Sequence, residues 1–105
     1  MNHRILRVGN APCSWGVIER THEDQRSYGY GRVLDEIHET GFAGTELGDW
    51  GFMPTDPAEL KEEIRKRNLV LCASWVMGEL IDPDGHAESI ARALRAAHLM
   101  SEVSE

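Results

Sequence analysis

Several protein classes are excluded by what this chain has little of. It carries two cysteines, Cys13 and Cys72, with no C-x-x-C and no Cys/His cluster at zinc spacing, so a structural zinc site is not expected. No apolar run reaches the roughly 18 residues that span a bilayer. The longest, Leu69–Met77, is broken by Ser74. Arg4 and Arg7 are not followed by the apolar stretch of a signal peptide, so reduced thiols in a cytoplasmic setting are the default expectation. Positive charge is also short. With 11 Lys and Arg against 18 Asp and Glu, the net charge is -7, and no basic excess exists to displace counterions from a nucleic acid.

What is present fits a folded chain. Hydrophobic residues make up 41% and charged residues 28% of 105 residues, a globular balance rather than a disordered one. The length suits one domain, or part of one, over residues 1–105.

Three strand–helix units follow in order. Ile5–Gly9 reads as a short strand that Asn10-Ala11-Pro12 breaks, and Trp15 to Ser27 reads as a polar loop. Tyr30, Val33, Leu34, Ile37 and His38 then fall on one helical face, with Gly41 as the residue past its end. Phe42–Gly48 reads as a second strand closing on a glycine turn. At Asp56-Pro57-Ala58-Glu59 an N-cap, a first-turn proline and a capping-box acid start a second helix. Its buried stripe is Leu60 and Ile64, and Asn68 ends it. Leu69–Val76 is the clearest strand. Its nearly continuous apolar residues predict cover on both faces, as in a parallel sheet. A third helix is expected over His86–Met100, burying Ala87, Ile90, Ala91, Leu94, Ala97 and His98, with 101–105 as a frayed polar end.

This alternation points to an α/β fold with parallel strands in the order 1-2-3. A dinucleotide-binding fold is disfavoured. The first strand-to-helix turn, Gly9 to Gly16, lacks G-x-G-x-x-G spacing, and Pro12 removes an amide needed for a phosphate cradle.

Two stretches carry a family resemblance. Val8-Gly9-Asn10-Ala11-Pro12-Cys13-Ser14-Trp15-Gly16 resembles the first strand and loop of the xylose isomerase-like TIM barrels, the sugar phosphate isomerase/epimerase superfamily that includes inosose dehydratase. Thr40-Gly41-Phe42-Ala43-Gly44-Thr45-Glu46-Leu47-Gly48 is similar to that family's second strand, where G-(F/Y)-x-G-x-E-(L/V)-G recurs. Asp56–Leu60 and Leu69–Trp75 continue in register. The resemblance implies a partial (β/α)8 barrel of about three units, since a full barrel takes ~250 residues. It therefore implies an amino-terminal fragment. In full-length relatives it implies proton transfer α to a carbonyl, in an isomerase, a 3-epimerase or a dehydratase of a cyclitol ketone. It also implies a divalent metal there (Mn²⁺, Mg²⁺ or Co²⁺), held by two Glu, an Asp and a His from the second half of the barrel. No ligand to that metal is expected in this chain, and no catalytic residue.

The candidate site residues follow from strand ends, where barrel active sites lie. Glu46 is the acid placed to orient a substrate hydroxyl; the bland alternative is a solvated or arginine-paired acid. Trp15 and Trp75 are candidates to stack on a sugar or cyclitol ring, against a role in loop packing. Trp50 reads as rim packing and Asp49 as a turn residue. Cys13 is more readily a small buried hydrophobe than a nucleophile. His22 and His86 read as solvated, His38 as a helix residue far from the strand ends, and His98 as packed or capped. A second class of reading is a noncatalytic fragment that associates with copies of itself through open sheet edges.

Overall fold

The computed structural model describes residues 5–16 and 29–104. The expected polar loop from Trp15 to Ser27 therefore lies largely outside the described residues. Strands β1 (Gly9–Asn10), β2 (Gly44–Glu46) and β3 (Val70–Ala73) alternate with helices α1 (Tyr30–Glu39), α2 (Pro57–Arg65) and α3 (His86–Val103). Short 3-10 turns sit at Pro12–Trp15 and Pro83–Gly85. The three strands form one parallel sheet in sequence order, pairing Gly9 with Gly44 and Gly44 with Val70. About three βα units of an α/β fold are thus present, as expected.

Local chemistry explains the helices. The Asp56 carboxylate accepts from the Glu59 backbone N–H at 2.9 Å, and Pro57 occupies the first turn. Asn68 follows α2 with a φ of 54°, and Gly41 follows α1 with a φ of 92°. Val33, Leu34 and Ile37 of α1 and Leu60 and Ile64 of α2 pack with Leu71 of β3 and Leu99 and Val103 of α3 into one core. Fully burying such a side chain contributes about 1.5–3 kcal/mol. His38, placed by periodicity on the α1 stripe, is instead exposed at its edge.

A charged clamp ties α1 to the end of α2. Arg67 donates to Asp35 at 2.5 Å and to the Glu63 carboxylate and carbonyl at 2.8 and 2.9 Å. Burial pulls the guanidinium pKa down, but its bonds to Glu63 and Asp35 outweigh that and hold it above its ordinary value. Glu63, also paired with Lys66 at 2.7 Å, is held below the usual carboxylate range by Lys66 first and Arg67 second.

Four expectations are corrected. Strand β1 is two residues long, and Ile5 and Leu6 are exposed. Interstrand bonding begins where the Ala43 N–H donates to the Val8 carbonyl at 2.8 Å, and β2 is too short to reach further back. Secondly, β3 is covered on one face only. Leu71 is buried, whereas Val70 is 50% exposed and Cys72 is exposed. The helices pack on the side of Thr45 and Leu71, as crossovers of one hand require. Thirdly, α3 buries Ala96, Leu99 and Val103, while Ala87, Ile90, Ala91, Leu94, Ala97 and His98 are exposed. Ser101, Glu102 and Val103, expected to fray, are helical because Val103 anchors that end in the core. Lastly, Cys13 is exposed rather than a small buried hydrophobe.

Gly44 shows how tightly the sheet is drawn. A Cβ there would stand 2.7 Å from the Val70 carbonyl oxygen, closer than any side chain tolerates.

Among the described residues no helix is long and apolar enough to cross a membrane.

Candidate functional site

The loops leaving β2 and β3 start from adjacent strand ends, so parallel pairing alone brings them together. Leu47–Trp50 and Ser74–Met77 meet α3 across a cleft of about 350 Å³. Gly48 turns the first loop with a φ of 73°, and a Cβ there would come within 3.1 Å of the Pro12 ring. Asp49, Trp50, Ser74, Trp75, Arg92 and Arg95 line the cleft. The Arg95 guanidinium carbon lies 4.0 Å from the Trp50 ring centroid, a cation–π contact that fastens the first loop to the third helix. Trp75 is 47% exposed.

Glu46 is the last residue of β2, half-buried at the root of the Leu47–Trp50 loop. The register slips there. Thr45 pairs with Leu71 and Glu46 with Ala73, so Cys72 is passed over. Its thiol donates to the Thr45 carbonyl at 3.3 Å. Although the residue as a whole is exposed, its sulfur contact is part-buried, and that partial desolvation, followed by the Glu46 charge, pushes the Cys72 thiol above its usual value.

Trp15 is placed elsewhere. Its indole Nε1 donates to Glu36 of α1 at 2.6 Å, and its ring packs against the core. Glu36 is held below the usual carboxylate range by Arg32 first and Trp15 second. The structure thus joins Trp75 with Trp50 in one cleft, leaves Glu46 outside the cleft lining at the end of β2, and ties Trp15 to α1.

Among the described residues no group of three or more His, Cys, Asp or Glu is arranged to hold a metal ion. Of the candidate histidines, His38 and His98 are exposed, His86 has its Nε2 3.1 Å from the Leu80 carbonyl oxygen, and His22 lies outside the described residues. Sequence reasoning missed Arg92 and Arg95. Their spacing of three on a helix puts both on one face, a basic pair in an acidic chain.

No family model and no solved structure matches the chain. Curated proteins do. It is 33% identical over 93 residues to an inosose dehydratase of Salmonella typhimurium, covering 89% of this chain and 28% of that protein. It is 31% identical over 80 residues to an inosose dehydratase of Mesomycoplasma hyopneumoniae, covering 72% and 24%. A third, from Bacillus licheniformis, is 34% identical over 80 residues, covering 70% and 26%. The chain spans about a quarter of the length of these relatives. They bear out the resemblance read from the sequence motifs, and do not separate isomerase from dehydratase.

Proposed function

We propose, from the homology of this chain to inosose dehydratases of the xylose isomerase-like barrel family, that it supplies one sector of a cleft for a sugar or cyclitol. The observation that carries this reading is the meeting of the β2 and β3 loops, with Trp75 in the cleft; Glu46 ends β2 one residue before the loop that lines it. An indole offers a flat apolar face to the C–H side of a ring, and a carboxylate accepts from a hydroxyl. The reaction served is isomerisation, epimerisation or dehydration beside a carbonyl. The names of the relatives favour dehydration of a cyclitol ketone. The contribution assigned to this chain is contact with the substrate's ring face and hydroxyls.

Titration of the chain with myo-inositol tests this. The Trp75 indole N–H resonance is expected to shift saturably, and Trp75→Ala to abolish the shifts at neighbouring cleft residues. Absence of any shift in the unsubstituted chain overturns the reading. The chain alone, given inosose and Mn²⁺, is expected to show no turnover; measurable dehydration would place catalysis within these residues.

A second reading is favoured by the open sheet face, where Val70 and Cys72 meet solvent. Copies of the chain would associate there and along unpaired strand edges. Light scattering is expected to show species larger than one chain. A monodisperse monomer with a single cooperative thermal transition refutes this.

A further inference from the structure

We propose that the cleft between the β2 and β3 loops and α3 contains an oxyanion site, formed by Arg95 with Arg92 beside it. The chain has 18 carboxylate side chains against 11 basic ones, so an arginine is expected to find an acid. Arg95 has none within salt-bridge distance among the described residues; its one recorded partner is the Trp50 ring at 4.0 Å. Stacking occupies the flat face of a guanidinium and leaves its N–H edge unspent. Both arginines line the same cleft. Arg92 is held in part by Glu88, one turn earlier on α3, through one terminal nitrogen. Its other N–H groups remain for a ligand.

The chemistry that matches is planar recognition of two oxygens, as in a phosphate ester or a carboxylate. Two acids oppose it. Asp49 lines the cleft, and Glu88 holds Arg92. The site is thus tuned by four charges, two for the anion and two against. It does not depend on the carbohydrate reading, because the anion needs only the guanidinium edges.

The test uses the three tryptophans as separate reporters, with inorganic phosphate and acetate as probes, followed by NMR of the indole N–H groups. Phosphate is expected to shift Trp50 and Trp75 saturably and to leave Trp15 unmoved, because Trp15 is bonded to Glu36 on α1. Tighter binding of acetate than of phosphate assigns the site to carboxylates, and the reverse to phosphate esters; either supports an oxyanion site. Arg95→Gln should weaken binding about tenfold or more, a loss of about 1.4 kcal/mol. Arg95→Lys should recover part of it, since charge remains and the fork is lost. Asp49→Asn and Glu88→Gln should each tighten it. Shifts spread equally over all three indoles, no shift at all, or unchanged affinity in a folded Arg95→Gln chain would overturn the proposal. If myo-inositol binds and neither anion does, the oxyanion site fails and the carbohydrate cleft stands. If an anion binds and myo-inositol does not, the reverse holds.

Discussion

The two faces of the sheet differ in almost every respect that decides stability. On the helical side Leu34, Ile37, Thr45 and Leu60 are fully buried, and Leu71 is 3% exposed. On the other side Val70 is 50% exposed and glycines stand at positions 9 and 44. The same strand, β3, supplies both Leu71 and Val70, so strand propensity does not explain the contrast. What differs is whether a crossover lies over the face. Each crossover returns on the same hand, and the two crossover helices together with α3 cover one side and leave the other to whatever docks there.

Four substitutions sharpen or break that contrast. The largest expected effect is Leu60→Ala, about 2–5 kcal/mol in denaturant unfolding, from lost burial and an unfilled cavity. Next comes Arg67→Ala, about 1.5–3 kcal/mol, because its hydrogen bonds to charged partners join α1 to α2. Asp56→Ala removes the α2 cap and should cost about 1 kcal/mol. Val70→Ala should cost least, under about 1 kcal/mol, since the side chain is half in water already. A Val70→Ala loss as large as that of Leu60→Ala would show the open face to be packed in solution, and would break the contrast.

Acid gives a further check on the covered side. Glu36 and Glu63 both have folded-state pKa values below the ordinary 4.5. Their contribution is therefore complete above about that pH and is lost as pH falls through the lowered folded values. Acid unfolding followed by circular dichroism should begin at higher pH in Arg67→Ala. Trp15→Phe should move it less, because Arg32 still holds Glu36.

The sequence was legible where the signal is local. Asp56-Pro57 announces α2 within four residues, and Gly41 and Asn68 mark helix ends by their own backbone preference. Strand order followed from alternation alone. The position of Glu46 and Trp75 at strand ends followed from the strands. The covered face of α3 was not legible, because the helix carries two apolar stripes. Ala87, Ile90, Ala91 and Leu94 form the more hydrophobic one, yet only the stripe of Ala96, Leu99 and Val103 meets α2 and β3. Likewise Val70 and Leu71 look alike in sequence, and only the side on which the helices return separates them. The Trp50–Arg95 contact joins residues far apart in the chain, and no spacing rule foretells it.

The lopsided anchoring of α3 has a consequence in time rather than in structure. Its last two turns are pinned by Leu99 and Val103, while the turns from His86 to Leu94 rest on no buried side chain. One continuous helix should therefore exchange its amide hydrogens in two regimes. The carboxyl-terminal amides exchange only when the whole core opens, and the amino-terminal ones by local unwinding. A protease that cuts helices from opened states should find this chain first between Gly85 and Arg95, the stretch that carries both cleft arginines.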